Sequence, residues 1–229
     1  YWGYQVIGQF QSEEEIRNYP VNLDGNNNRT LLPGDFIYKD VNGDGIINGM
    51  DERPIGYPEG WAPIMSFGGN IGLAWKGIDL NIDLSGGAMQ GWRQNYELAN
   101  AYHGNGNSPV YLLEDRWHRA DLYDPESEWI PGRYPAIRKG EFSYNNKNSD
   151  FWLHNVRYLR IKNLEVGYSL PAQLLRPIRA QKVRIYANVS NLCSFDNVGK
   201  FGVDPEITAA AAVVYPQQRT FLLGFNITY

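Results

Sequence analysis

Six residues within one short stretch provide oxygen ligands at the spacing of a calcium-binding loop. The stretch Asp40–Asp51 reads DVNGDGIINGMD, and its positions 1, 3, 5, 7, 9 and 12 are Asp40, Asn42, Asp44, Ile46, Asn48 and Asp51. Calcium takes about six to eight oxygen ligands, and position 7 contributes its backbone carbonyl. Gly45, at position 6, permits the sharp bend around the ion. The spacing therefore predicts one Ca²⁺ ion with a structural role.

The last ligand position separates this stretch from an EF-hand. It is Asp51 rather than the usual Glu, as in dockerin-type loops, and the shorter side chain reduces its bidentate reach. No amphipathic helix is predicted on either side, so the motif indicates a free-standing calcium loop. The open alternative is an Asx-rich turn region that binds no metal.

The other polar residues lack the spacing of a catalytic site. His103, His118 and His154 do not form an HExxH pattern, and the sequence has neither a GxSxG elbow nor a GxxxxGK[ST] phosphate loop. Asp79 and Asp83 share one face of a predicted strand, where a polar, water-facing surface explains them without catalysis. The chain is predicted not to be an enzyme.

Aromatic side chains in the predicted loops are the candidates for substrate contact. Such rings stack on sugar rings, but they equally pack loops together or fill a partner interface, and packing is the favoured explanation. The five candidates are Trp92, Tyr96, Tyr102, Trp117 and Trp129.

The composition narrows the class of protein. The 229 residues carry a formal net charge of -4, which argues against a nucleic-acid ligand because phosphate binding needs a basic surface. Cys193 is the one cysteine, so a disulfide framework and a cysteine-rich zinc site are excluded. No apolar run reaches the roughly 18 residues of a transmembrane helix. A transmembrane β-barrel stays possible, because its strands never form such runs.

Period-two alternation of apolar and polar residues predicts an all-β fold with five strands. They are residues 67–75, 78–85, 157–170, 182–190 and 220–229. Lys76-Gly77 alone separates the first two, which indicates a hairpin. The alternation slips near Lys162-Asn163, which predicts a β-bulge. Short helical turns are predicted at residues 12–17 and 171–179, where Pro177 limits the second.

The connections between the strands are unequal in length. Long loops are expected at about 1–66, 86–149 and 191–219, whereas the other connections are short. If the strands run alternately up and down, the long loops share one rim, as in outer-membrane barrels. A soluble β-sandwich alternates in the same way, and alternation alone does not decide between them. Loops of this length are unusual in a sandwich and favour the barrel.

Five blocks of sequence resemble SusC/RagA-type TonB-dependent transporters, in their C-terminal region. They occur in the family's order and reach almost from end to end of the chain. The blocks are GDFIYKDVNGDGIINGMDERPIGYP (34–58), FGGNIGLAWKGIDLNIDLSGGAMQG (67–91), NVRYLRIKNLEVGYSLP (155–171), VRIYANVSNLCSF (183–195) and YPQQRTFLLGFNITY (215–229).

The resemblance implies the C-terminal strands of a large antiparallel transmembrane barrel of about 22 strands. It implies a place in the outer membrane of a Gram-negative bacterium and energised import of glycans or peptides. The implied partners are a SusD-like surface lipoprotein, the rest of the same barrel, the lipid bilayer, and TonB through an N-terminal part that has no match here. The plug domain likewise matches nothing here. The long loops would be extracellular and the C-terminus periplasmic.

The orientation of the strands follows from the same barrel interpretation. Val183, Ile185, Ala187 and Val189 are expected to face lipid, and Arg184, Tyr186 and Asn188 are expected to face the lumen. Tyr229 would lie at the periplasmic interface, where an amphipathic ring suits the headgroup boundary. Two other hypotheses remain. One is a secreted, calcium-stabilised β-sandwich that binds carbohydrate, and the other is a fragment of a β-rich glycan-active enzyme.

Overall fold

The computed structural model of the chain describes residues 1–60, 62–138, 143–206 and 217–229. These residues form two compact units. The loop unit contains described residues of 1–60 and 91–155, and the sheet unit contains described residues of 62–90, 156–206 and 217–229.

Eleven strands are found in the described residues. They are β1 (Trp2–Gly3), β2 (Val6–Gln9), β3 (Phe36–Tyr38), β4 (Arg53–Pro54), β5 (Met65–Trp75), β6 (Ile78–Arg93), β7 (His118–Arg119), β8 (Trp129–Ile130), β9 (Leu153–Ser169), β10 (Lys182–Asp196) and β11 (Thr220–Thr228). Three short α-helices accompany them: α1 (Glu13–Asn18), α2 (Val110–Glu114) and α3 (Ala172–Leu175). The all-β prediction is confirmed. Within the described part of the chain, no helix is long and apolar enough to cross a membrane.

The five long strands form one sheet in the order β11-β10-β9-β6-β5. The pairs β5–β6, β9–β10 and β10–β11 are antiparallel. The Ser169 amide donates to the Gly77 carbonyl over 2.7 Å, so the β5–β6 turn lies beside the end of β9. The sequence predicted each of these five strands, because each alternates between an apolar and a polar face.

The predicted hairpin at Lys76-Gly77 is confirmed. Both residues have positive φ, 47° for Lys76 and 87° for Gly77. Two such residues in a row match the two-residue turn whose twist suits antiparallel strands. The turn therefore sets the register in which Trp75 pairs with Ile78.

The predicted irregularity near Lys162-Asn163 is also present, and its extra residue lies on the neighbouring strand. The ladder between β9 and β10 shifts register between Ser190 and Cys193, whose partners are Asn163 and Ile161. Asn191 has a φ of 53°, as an unpaired bulge residue accommodates readily. Below the bulge, β10 continues to Asp196.

The predicted strand ends were too early in two places. β6 continues from Ser85 to Arg93, and β10 continues from Ser190 to Asp196. The glycines at 86, 87 and 91 lower the strand propensity of the first extension. Pairing with β5 overrides this preference, since Phe67 pairs with Gly86 and Met65 with Ala88. Trp92 accordingly lies in a strand and not in a loop.

The segments predicted as irregular loops build a unit with its own core. The loop unit buries large aromatic and aliphatic side chains, among them Phe10, Phe36, Tyr38, Tyr144 and Trp152. The Tyr38 hydroxyl donates to the Tyr144 carbonyl over 2.8 Å, and the Tyr144 hydroxyl donates to the Phe36 carbonyl over 2.6 Å. These reciprocal bonds join residues about 100 positions apart, which no local pattern indicates. Residues 139–142 and 207–216 of the predicted loops, and residues 215–216 of the last matching block, lie outside the described residues.

Candidate functional site

One face of the five-stranded sheet presents apolar side chains that are exposed. Register places Ile185 opposite both Phe225 and Tyr168, so the apolar residues of neighbouring strands are contiguous. Leu223 is 83% exposed and Phe225 is 70% exposed. An apolar surface of this extent marks an interaction with lipid or protein. Its other exposed members include Phe67, Ile71, Leu73, Phe221 and Ile227.

Of the four β10 residues predicted to face lipid, not all are exposed. Ile185 and Ala187 are exposed and Val189 is half-buried. Val183 departs from the expectation, since only 7% of it is exposed. The Leu170 amide donates to its carbonyl over 2.9 Å, and α3 packs against β10. The short connection after β9 therefore covers the first apolar residue of the strand.

The opposite face of the sheet carries a charged and amide-rich network. Arg184 Nε donates to Asp79 Oδ1 over 3.0 Å, and its Nη2 donates to Glu165 Oε1 over 2.7 Å. Asn188 Nδ2 lies 3.4 Å from the second oxygen of Glu165. Asp79 is therefore an ion-pair partner. These contacts join β6, β9 and β10 on the face predicted to be polar.

A second polar cluster is centred on Arg160, which is 5% exposed. Arg160 Nη2 lies 2.7 Å from Asp204 Oδ2, and its Nη1 lies 2.8 Å from Glu206 Oε2. Lys162 Nζ lies 2.6 Å from the same Glu206 oxygen. Ser85 donates to the other Glu206 oxygen over 3.0 Å. This Arg160 cluster fastens the segment after β10 to β6 and β9.

No pattern in the sequence indicates the Arg160 cluster. Its carboxylates lie more than 40 residues from Arg160 in the chain, and an isolated Asp-Pro-Glu in a loop is an ordinary turn sequence. The cluster also changes the pKa of Glu206. Burial raises the pKa of the Glu206 carboxyl, but hydrogen bonds from Lys162 and Ser85 and the charge of Arg160 outweigh burial, so its pKa is lowered.

We expect acid to release the segment that the Arg160 cluster holds. The folded-state pKa of Glu206 lies below its ordinary value of 4.5. Its stabilisation is therefore complete above pH 4.5 and is lost as the pH falls through the folded-state pKa. Hydrogen exchange of residues 196–206, followed from about pH 7 to pH 3, measures the release.

Two variants make this prediction specific. Glu206→Gln should remove most of the acid sensitivity, and Arg160→Gln should expose the segment at neutral pH, at a cost of about 3–5 kcal/mol for a broken buried pair. Glu126→Gln, at an exposed acid of the β7–β8 turn, is the matched control and should change neither. Acid sensitivity that persists in Glu206→Gln would contradict the role given to this carboxylate.

The predicted calcium residues divide into two groups. Asp40 accepts hydrogen bonds from the Gly43 and Gly45 amides over 2.7 and 2.8 Å. The Asn42 and Asn48 side chains both point to Asp44 Oδ2, at 2.8 and 3.4 Å. Hydrogen bonds from Asn42 and from the Ile46 amide lower the pKa of Asp44. Four predicted ligands are thus joined through one another and the loop backbone.

Asp51 takes a different position. It is fully buried, and its oxygens accept from the Val41 and Asn48 amides, each over 2.9 Å. With Asn48 it forms a capping box around residues 49–51. Ile46 forms a bridge with Asn22, and its side chain is exposed. No group of three or more His, Cys, Asp or Glu side chains suited to a metal is found in the described ranges.

Three of the five predicted substrate-contact rings are engaged in packing. Trp92 is buried, with its ring stacked on His154 at a centroid distance of 5.4 Å. Trp117 is buried against Gly34, where a Cβ atom would overlap the indole ring. The Arg119 guanidinium lies 4.4 Å from the ring centroid of Trp129.

The other two rings, Tyr96 and Tyr102, are exposed. Tyr102 lies at the edge of a cleft of about 490 Å³, which is also lined by His103, Ile137 and Trp152. A cleft of this volume matches the size of a small-molecule site. Tyr102 and Tyr96 both have positive φ, 60° and 49°, a strained backbone for residues with a Cβ atom. The sequence pattern pointed to Tyr102 but not to the cleft.

Known TonB-dependent receptors are similar to the chain, one of them over its full length. TonB-dependent receptor P3 of Formosa agariphila is 26% identical over 245 residues, covering 100% of this chain and 22% of the receptor. TonB-dependent receptor SusC of Bacteroides thetaiotaomicron is 33% identical over 99 residues, covering 41% of this chain and 9% of SusC. No family model matches the chain.

Solved structures give the same assignment at the level of the fold. The RagAB peptide importer in its open-open state matches with a TM-score of 0.59 and 16% identity, covering 100% of this chain and 22% of the matched chain. The chain therefore resembles a segment of SusC/RagA-type TonB-dependent receptors over its full length. This SusC/RagA-like chain spans about a fifth of the length of the relatives that match it throughout. The fold prediction, an antiparallel all-β part of a barrel, is confirmed.

Proposed function

We propose that the chain is part of the barrel of an outer-membrane importer that works with a SusD-like surface lipoprotein. The observation that carries the proposal is the two-faced sheet in a SusC/RagA-like sequence. Exposed apolar residues lie on one face, and the Arg184 network lies on the other. A barrel wall needs both faces, because it separates lipid from a water-filled interior.

The cargo and the other partners are part of the same proposal. The cargo is a glycan or a peptide: the family resemblance implies either class, and the matched solved structures are of a peptide importer. TonB would act through a part of the receptor outside this chain, and the rest of the barrel would pair with β5 and β11. Both are edge strands, and an unpaired strand edge does not persist in lipid.

The alternative of a secreted β-sandwich that binds carbohydrate has less support. In a sandwich, the apolar face of each sheet packs against a second sheet. The described strands β5 and β11 instead leave Leu73, Phe221 and Leu223 exposed. A covering second sheet within the described residues would have buried these side chains.

Uptake by the full-length receptor tests the proposal. Cells that express the receptor with its lipoprotein are supplied with fluorescent oligosaccharides and fluorescent oligopeptides in parallel. We expect one cargo class to accumulate only when the receptor and TonB are both present. A full-length protein that is soluble without detergent, or uptake that is unchanged when the receptor is deleted, would contradict the proposal.

We also propose that residues 40–51 hold one Ca²⁺ ion that stiffens the loop unit. The side-chain amides of Asn42 and Asn48 are directed at Asp44, and a half-turn of either amide replaces its nitrogen with an oxygen. Asp40 and Asp44 supply the negative charge, and the Ile46 carbonyl, Asn48 and Asp51 complete the ligand set. Asp51 fits least well, because it is fully buried and its oxygens already accept two backbone amides. The donor atoms are all hard oxygens, which suits calcium.

Calcium titration of the full-length receptor checks this proposal. We expect calcium at a hundredfold excess over its Kd to stabilise the fold by about 2.7 kcal/mol. Asp44→Ala should abolish this gain. Asp24→Asn is the control, because Asp24 accepts from Asn26, Asn28 and Thr30 in a neighbouring turn. It should lower stability and keep the calcium response. An unchanged calcium response in Asp44→Ala would overturn the proposal.

A further inference from the structure

Three parts of the sheet unit meet at the end of the sheet that carries the short connections. The Gly77 carbonyl accepts from the Ser169 amide over 2.7 Å, and the Thr228 carbonyl accepts from the Gln181 amide over 2.7 Å. The β5–β6 turn, the connection at residues 170–181 and the end of β11 are therefore held side by side. We call this set of residues the short-turn rim.

The short-turn rim carries four cations that form no salt bridge within the described residues. Lys76, Arg176, Arg179 and Lys182 are exposed, and the described residues place none of them in a salt bridge. The sequence from 170 to 182 contains no Asp or Glu. Asp79, just after the turn, binds Arg184 and also interacts electrostatically with Lys182, so it offsets part of the rim's charge. The rim is thus positive on a chain whose net charge is -4.

Aromatic rings lie beside these cations. Trp75 is 68% exposed and Tyr229 is 77% exposed, and Tyr168 is exposed between them along the sheet end. The Lys76 ammonium lies 4.7 Å from the centroid of the Trp75 ring. Leu174, in α3, adds an exposed apolar side chain at the same end. Trp75 is in phase with Leu73 and Ile71, so its ring continues the apolar face.

We propose that the short-turn rim binds the headgroups of anionic phospholipids. Trp and Tyr rings at the edge of an apolar band lie at the headgroup level of a bilayer. Cations directly beyond them reach the lipid phosphates, and each adds roughly a fivefold factor to binding at an anionic surface. A protein that bound the short-turn rim would have to displace these phospholipids. The proposal rests on the membrane location given above.

Selective lipid binding by the full-length receptor tests whether the short-turn rim binds anionic headgroups. The receptor is reconstituted in nanodiscs of phosphatidylcholine with a minority of phosphatidylglycerol, and the retained lipids are counted by native mass spectrometry. We expect the receptor to enrich phosphatidylglycerol. The variant Arg176→Gln/Arg179→Gln/Lys182→Gln should reduce its apparent affinity for this lipid by a factor on the order of a hundred.

A second triple variant distinguishes a specific effect of the short-turn rim from a general effect of lost positive charge. Arg17→Gln/Arg29→Gln/Lys39→Gln removes the same charge from exposed positions of the loop unit and should leave the enrichment unchanged. Equal loss in both variants, no loss in the rim variant, or equal stabilisation by free inorganic phosphate in detergent would overturn the lipid site. A receptor that fails to enter nanodiscs at all would instead contradict the proposed function.

Discussion

Ile185→Arg is expected to remove most of the assembled receptor from the outer membrane. Ile185 is exposed on the apolar face, opposite Tyr168 on one side and Phe225 on the other. If this face contacts lipid, an arginine there costs about 2–4 kcal/mol near the bilayer midplane. Because proteins are only marginally stable, this cost is a large part of the total. Heat-modifiable, folded barrel in membrane fractions measures the loss.

Asn188→Arg is the matched control for this prediction. Asn188 lies three residues further along β10, on the opposite face, where its amide approaches Glu165. An arginine at this position gains a carboxylate neighbour and stays on the polar side, so assembled barrel should fall little. Equal tolerance of both substitutions would refute the orientation of the sheet.

The five long strands were predictable because the signal for them is local. Alternation along β5 and β6 and the Lys76-Gly77 turn between them fix a hairpin within 30 residues. The calcium motif is local in the same sense, since its ligand positions depend only on spacing. The C-terminal ends of β6 and β10 were not predictable, because pairing with neighbouring strands determines where these strands end. In β6, three glycines also lower the strand propensity of the last residues.

The loop unit and the Arg160 cluster depend on contacts between distant parts of the chain. The Tyr38 hydroxyl bonds to the Tyr144 carbonyl and the Tyr144 hydroxyl bonds to the Phe36 carbonyl, and Arg160 pairs with Asp204 and Glu206 of the segment after β10. A single sequence contains no pattern that relates such positions. For the same reason, the sequence-based set of candidate substrate-contact rings combined the buried Trp92 and Trp117 with the exposed Tyr102, because only the fold determines which rings are buried.

Deleting residues 225–229 is expected to block insertion of the receptor into the outer membrane. Phe225, Asn226, Ile227 and Thr228 pair with Ile185, Arg184, Val183 and Lys182, so the deletion removes four of the nine pairs that join β11 to β10. It also removes Phe225 and Tyr229 from the apolar face and the short-turn rim. The shortened strand would leave backbone groups of β10 unpaired in lipid, where each costs several kcal/mol.

Deleting the five residues 104–108 tests whether any deletion of this size has the same effect. These residues lie in the loop unit, from within a short helical turn at residues 103–105 up to α2, outside every strand of the sheet. Their loss should leave insertion near the level of the unchanged receptor, since exposed loops tolerate changes in length. Both variants are compared by the heat-modifiable fraction in isolated membranes. Normal insertion without residues 225–229 would mean that β11 does not complete the membrane wall, which would remove the main structural support for a lipid-facing sheet.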